Sequence, residues 1–358
     1  MRKEMKGIIL ILMLIFVASV VSAQTIQNVE VHGYMQNRFY TPESGSARIV
    51  TERVSLSAIG QMGTDGTAYI EMYLHPWMPT VAEQYRTYLE SAYVDLPLAG
   101  GRIRVGKGRQ LNFGVTPSYP NRKTSQYSIV SETFTQDRIV GAQFSRKQGS
   151  FDMGATLYSD YRIGTRSIGT FPNASPANVV PHFVNKDDPA NPSGQLAGSL
   201  KLGMSTPTFS WHVSGAVGQF LQADADTIAA AYGTTTTNRD HNMYGVDATY
   251  KQGKMIGKVE WYNGDFSFMN IKGFSILAGY EPKDKMRVYA RYETLDNDQP
   301  ATANPRTWDT KQFTVGIVKP IRKGVWAELN YERNMESPPA GVQNIKNDLL
   351  FLELFTGF

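Results

Sequence analysis

Asp348-Leu-Leu-Phe-Leu-Glu-Leu-Phe-Thr-Gly-Phe358 is the last stretch of the chain. It is apolar, yet it falls far short of the roughly 20 residues that a membrane-spanning helix requires. It suits a tilted membrane β-strand of about 9–11 residues. Leu350, Leu352, Leu354 and Phe358 share one parity, and Thr356 breaks the stripe. Alternate side chains of a strand face opposite ways, so the leucines would form one apolar face. An edge strand of a soluble sandwich reads the same way in isolation, so the decision rests with the rest of the chain.

The amino end reads as an export signal. Arg2, Lys3 and Lys6 precede the apolar run 7–21, and Val21-Ser-Ala23 supplies the small residues of a cleavage site. Residues 1–23 are therefore expected to be a cleaved signal peptide and 24–358 a single exported domain. Cleavage would remove three basic residues and Glu4, taking the formal charge from +4 to +2. So small a charge argues against a nucleic-acid partner. Beyond the leader no run of 18 apolar residues occurs, which excludes a membrane helix. With no cysteine the chain has neither disulfides nor thiolate metal sites. The 19 tyrosines, 17 phenylalanines and 32 glycines suit walls that are apolar on one side and polar on the other.

Period-two runs recur throughout: 26–40, 47–61, 67–75, 85–96, 102–113, 138–146, 151–161 and 196–204 in the first half. The second half adds 209–219, 242–251, 255–262, 271–280, 286–294, 311–319, 325–333 and 348–358. Short turns such as Thr64-Asp-Gly66 alternate with long polar connections, the longest being 162–194, and both termini fall on the short-turn side. About 21 residues per strand and connection is ordinary for an even-numbered bacterial barrel. In lipid every strand needs a paired neighbour on both sides, which only closure supplies. The expected fold is all-β: a closed antiparallel transmembrane β-barrel of sixteen strands, with short periplasmic turns and long extracellular loops. Tyr40, Trp77, Tyr161, Trp261, Tyr262, Tyr280, Tyr292 and Trp326 lie near strand ends and would form interfacial girdles.

The last strand resembles the C-terminal targeting signal of bacterial outer-membrane barrels, which ends on Phe. That resemblance implies an outer-membrane location, Phe358 as an assembly signal, and barrel assembly machinery and outer-membrane lipid as partners. Three stretches of the first half resemble the phosphate-selective porins of the O and P type. They are Glu52-Arg-Val-Ser-Leu-Ser-Ala-Ile-Gly60; Tyr93-Val-Asp-Leu-Pro-Leu98 with Arg104-Val-Gly-Lys-Gly-Arg-Gln-Leu-Asn-Phe-Gly114; and Gln136-Asp-Arg-Ile-Val-Gly141. The resemblance implies a homotrimeric, 16-stranded porin for small polar or anionic solutes. It also implies a third long loop, here 114–136, folded into the lumen as a constriction.

Parity tests whether a basic ladder accompanies that resemblance. Lumen-side positions supply Arg38, Arg53, Arg102, Arg104, Lys201, Lys258, Arg287 and Arg291, but also Glu30, Glu71, Asp152, Asp160, Asp247, Glu260, Glu293, Glu328 and Glu332. The two sets nearly balance, so the asymmetry lies in placement. Arg102, Arg104, Lys107, Arg109, Arg122 and Lys123 cluster in one strand and the following loop, and Glu328 and Glu332 share a late strand as the opposing acidic wall. This placement predicts a transverse field and modest, salt-sensitive selectivity. The parity of Ile103 and Val105 sends Lys107 and Arg109 towards lipid. Either a bulge at Gly106 and Gly108 swings both inward, or both lie above the membrane at the polar rim. Histidines 32, 75, 182, 212 and 241 show no nucleophile or metal spacing, and no G-x-S-x-G occurs, so neither catalysis nor a cofactor is expected. The rival to a channel is a structural or adhesive barrel with a plugged lumen.

Overall fold

A computed structural model describes residues 26–75, 86–114, 128–135, 138–159, 162–168, 180–186, 196–282 and 286–358. The signal-peptide segment, Arg122, Lys123, Trp77 and Tyr161 lie outside them.

The strands are β1 Ile26–Pro42, β2 Arg48–Met62, β3 Gly66–His75, β4 Arg86–Leu98, β5 Gly101–Arg109, β6 Arg138–Gln148, β7 Phe151–Ser159, β8 Arg162–Ile168 and β9 Val180–Lys186. They continue with β10 Leu196–Ser205, β11 Phe209–Gln219, β12 Asp240–Gln252, β13 Met255–Phe266, β14 Met269–Tyr280, β15 Arg287–Asn297, β16 Thr310–Arg322, β17 Val325–Glu336 and β18 Leu349–Gly357. Helices α1 Ile129–Phe134 and α2 Gln222–Ala231 lie in two of the long connections. Sixteen strands pair antiparallel into a closed barrel, neighbours in sequence except that β7 pairs with β10 and β1 with β18, and β8 and β9 form a separate hairpin. The sixteen barrel strands are the sixteen alternating runs, with ends shifted by a few residues.

Alternation explains the wall. On β18, Leu350, Leu352 and Leu354 are exposed, whereas Phe351, Glu353 and Phe355 are buried on the inner face. Outward side chains meet lipid, and inward ones meet polar groups and one another. The short turns use glycines in the left-handed region, Gly253 at φ 57° and Gly324 at φ 75°, where a Cβ would be strained.

Closure is made by β1 and β18, in register from Tyr34 opposite Gly357 to Pro42 opposite Leu349. The seam ends in a reciprocal pair: Gly33 N–H donates to the Phe358 carbonyl and Phe358 N–H to the Gly33 carbonyl, both at 2.9 Å. The Phe358 ring lies across Gly33, where a Cβ would stand 2.5 Å from two ring carbons and 2.9 Å from the Ser55 carbonyl oxygen. The terminal aromatic therefore rests in a glycine notch at the short-turn end.

Four features differ from expectation. The longest connection contains the β8–β9 hairpin rather than irregular chain alone. The β13–β14 connection, at the long-loop end, is only Ser267-Phe268. Strand β5 stops at Arg109 rather than Phe113, because the chain there leaves the wall. Tyr40, Tyr262 and Trp326 face inward, Tyr40 beside Phe351, Tyr262 beneath Phe134 and Trp326 stacked on Phe355 at 3.6 Å. Trp261, Tyr280 and Tyr292 do present outward surface.

Replacing Gly33 with Val should weaken the seam, because a tight site resists added carbons by about 1–3 kcal/mol. The expected outcome is a lower temperature for conversion of the folded to the unfolded band on a semi-native gel. Met35→Val, at an exposed outward position, is the control and should leave that temperature unchanged.

Candidate pore lining

After Arg109 the chain turns into the barrel. The Gln143 side chain holds this departure, accepting from Leu111 N–H at 2.7 Å and donating to the Arg109 carbonyl at 2.9 Å. The Asn112 amide donates to the Phe144 and Ala155 carbonyls, both at 3.0 Å. It lies over Gly154, whose absent Cβ would be 1.8 Å from Asn112 Oδ1. At Gly114 (φ 64°) the N–H donates to Ser214 Oγ at 3.3 Å, and Lys201 Nζ donates to the carbonyl at 2.7 Å. A Cβ at Gly114 would stand 2.4 Å from the Thr135 methyl, so the two ends of residues 114–135 meet in a neck.

Helix α1 begins at Ser128, whose hydroxyl accepts from Ser131 N–H at 2.8 Å. Its first N–H, on Ile129, donates to Glu293 Oε2 of β15 at 3.3 Å. Ile129, Val130 and Phe134 are buried against Phe113, Tyr262, Phe266, Ile271 and Leu295. Tyr262, Ile271 and Leu295 belong to the inner faces of β13, β14 and β15, so α1 lies inside the barrel on that wall. Strand β9 also packs against α1 and against the turn Pro305–Thr307, which brings the β8–β9 hairpin over the same side.

The basic cluster is heavily paired. Asp95 receives the Arg102 guanidinium and Arg104 Nη2, the latter at 3.2 Å. Arg104 also lies 3.9 Å above the Tyr93 ring centroid. Arg102 donates to the carbonyl of Asp65 in the β2–β3 turn at 3.1 Å, placing it at the short-turn mouth rather than beside α1. Lys107 is buried, with its ammonium on the Leu89 carbonyl. Arg109 and Arg138 both meet Glu90, Arg109 at 3.6 Å.

Of the two alternatives for Lys107 and Arg109, the bulge at Gly106 and Gly108 is not seen in the register; the register shift lies on the neighbouring strand. Strand β5 stays in register with β4 and β6 through Gly106, although Gly106 adopts φ 126°. On β4, Glu71 of β3 pairs with Ser91 and Met72 with Leu89, so Glu90 is the extra residue. The bulge turns Glu90 towards Glu71 and Arg53 of the inner wall. Arg53 itself lies 4.9 Å over the Tyr73 ring.

Across the barrel the balance reverses. Strand β15 lies eight places from β5 in the ring of sixteen. There Arg291 pairs with Glu293 at 2.8 Å and Arg287 with Glu281. Glu328 accepts from Tyr289 at 2.6 Å and from Asn330 at 3.3 Å. Glu332 is buried, and its Oε1 has no hydrogen-bond donor. At the seam, Gln36 and Arg38 both donate to Glu353, and Arg38 and Glu353 are essentially fully buried. The inner wall thus carries Arg53, Arg102, Arg104, Arg109 and Arg138 against Glu71, Glu90 and Asp95 on one arc. The other carries Glu293, Glu328, Glu332 and Glu353 against Arg38, Arg287 and Arg291, a smaller imbalance of opposite sign.

Sequence reasoning missed Glu90, Asp95 and Glu353. The signal for Asp95 was its parity with Tyr93, and for Glu353 its position between two outward leucines; the bulge conceals Glu90. His212 faces Asp247 through Nδ1 at 2.9 Å and Asp152 through Nε2 at 3.5 Å. Both ring nitrogens face carboxylates, so neither is set against a nucleophile. A cavity of about 610 Å³ opens beside it at the short-turn end, lined in part by Arg102, Asn112, Lys147, Asp152 and Lys201.

No family model matches the chain, and no curated protein does. Solved structures do. Salmonella typhi OmpF, in a complex with daunomycin, superposes with a TM-score of 0.65 at 11% identity, over 93% of this chain and 98% of that one. The fold is that of the porins. Vibrio cholerae OmpT in its trimer form gives 0.58 at 14% identity, over 92% and 99% of the two chains. An anion-selective porin from Comamonas acidovorans gives 0.56 at 14% identity, over 92% and 99%.

Breaking the seam pair should be costly. Removing one partner of a buried ion pair strands the other charge, at about 3–5 kcal/mol. Glu353→Ala should therefore lower the urea midpoint of barrel unfolding in detergent micelles, and adding Arg38→Met should recover most of the loss.

Proposed function

We propose that this protein is a bacterial outer-membrane porin, passing small hydrophilic solutes and ions passively down their gradients. The observation that carries the reading is a closed barrel with a charged inner wall and the helix α1 packed inside it. The loop 114–136 would narrow the passage, and size exclusion there would set the solute limit. The apolar outer face supports residence in lipid. The leader-like amino end and the seam-closing Phe358 support export followed by assembly through a barrel-assembly machinery. A homotrimer is part of the proposal, supported by the trimer form in which Vibrio cholerae OmpT is described.

The opposed arcs support a transverse field rather than a uniformly positive bore. A phosphate-selective trap needs uncompensated cations, whereas here Asp95 meets Arg102 and Arg104, and Glu90 meets Arg109 and Arg138. We therefore favour a weak anion bias, strongest at low salt, over phosphate selectivity. Catalysis is not part of the proposal.

One observation favours a second reading, a structural or adhesive barrel with a filled lumen. Gln36, Glu328, Glu332 and Glu353 face inward yet are 0–1% exposed, so the wall of β1, β17 and β18 is covered. On the channel reading, water passes on the other side, where the cavity beside His212 opens.

Purified protein in a planar bilayer separates the two. The channel reading expects discrete conductance steps and liposome swelling in small sugars; folded protein without conductance would establish the filled barrel instead. In a channel, replacing Arg102 and Arg104 with Glu should shift the reversal potential in a salt gradient towards cations, most at low ionic strength. An unchanged potential would place the selective section away from the short-turn mouth.

A further inference from the structure

Cross-strand pairing on the wall behind α1 is unusual in composition. Tyr262 of β13 pairs with Gly273 of β14, and Gly264 pairs with Ile271, all on the inner face. Two glycines thus alternate diagonally with two large side chains and leave a recess. A Cβ on Gly273 would lie 2.7 Å from Phe134 Cε2 and 3.1 Å from Val130 Cγ1; one on Gly264 would first meet the Phe266 ring, at 2.6 and 2.9 Å, and then Phe134 Cε1 at 3.1 Å. Neither glycine has a left-handed backbone, so conformation does not demand them. Glycine inside a strand weakens it and marks a place where something must approach closely. What approaches here is the Phe134 ring, fully buried, stacked on Tyr262 (5.5 Å, 29°) and 5.9 Å from Phe266.

We propose that Phe134 is the positioning residue of the lumenal loop, and that its seat between Gly264 and Gly273 sets how far α1 stands from the wall and hence the open cross-section. Phe134 ends α1 and adjoins Thr135 in the neck, so its depth in the recess fixes the last turn of the helix directly. The glycines act as a shape code: any side chain at 273 expels the ring. The link to cross-section rests on the channel reading; the positioning role does not.

The test uses the full-length protein with two readouts. The chain has no cysteine, so a single Thr133→Cys, at a buried position of α1, reports whether the helix is seated through its reactivity towards a maleimide. Single-channel conductance reports the cross-section. In this background Phe134→Ala and Gly273→Leu should each expose the thiol and raise conductance by roughly two-fold, because the narrowest section governs conduction. The double variant Phe134→Ala/Gly273→Leu refills the recess from the wall. Like the single variants, it should keep the heat-modifiable folded band while leaving the thiol reactive and conductance high. Protected thiols in folded single variants, or a double variant that returns to parental reactivity, would overturn the positioning role. A chain that shows the thiol pattern but conducts no ions would keep that role and remove the channel.

Discussion

Everything in this structure depends on giving each strand a hydrogen-bonding neighbour on both sides. A backbone N–H or C=O left open in hydrocarbon costs several kcal/mol, so one unpaired edge would make the wall untenable. The β1–β18 seam is where that requirement is met last. Its reciprocal Gly33–Phe358 hydrogen bonds complete the ladder at the turn end. Once the ring is closed, period-two alternation does the rest: one parity becomes the lipid face and the other becomes a polar interior that must satisfy itself.

The interior does so by pairing charge locally. Arg38 with Glu353, Arg104 with Asp95 and Arg291 with Glu293 are each matched within one or two strands, and tyrosines or glutamines take remaining oxygens. Such pairs keep desolvated charges tolerable without giving much net stability. The matched pairs leave less uncompensated charge on the inner wall than the raw list of arginines suggests. Helix α1, inside this interior, is held by aromatic contacts as well as by its Ile129 N–H on Glu293.

The barrel was legible in the sequence because its signal is repeated sixteen times, and an error at one strand end is diluted by the others. Parity groups Arg53, Arg104, Arg291, Glu328 and Glu332 on one face of the sheet for the same reason. It failed where the count of residues is not the count of positions. The extra residue at Glu90 reverses parity along β4, and nothing in Tyr88-Leu-Glu-Ser-Ala92 announces it. Tyr40, Tyr262 and Trp326 were assigned to the membrane interface by proximity to strand ends, when their parity places them inside. The loop's seat was invisible for a different reason: Gly264 and Gly273 acquire meaning only when Phe134, more than a hundred residues earlier, is placed against them.

The neck between Gly114 and Thr135 has a consequence for how such a protein can change over generations. Because Gly114 and Thr135 touch, the segment leaves the wall and returns to it at one place, and within it α1 docks again on β13, β14 and β15. Residues can be inserted, deleted or exchanged between the neck and α1 without moving β5 or β6, whose separation is set at the neck. The barrel and the segment hung from it are therefore separable under mutation. That short stretch of sequence can drift quickly, while the sixteen-strand frame, where one slipped residue inverts a whole face, accepts change slowly.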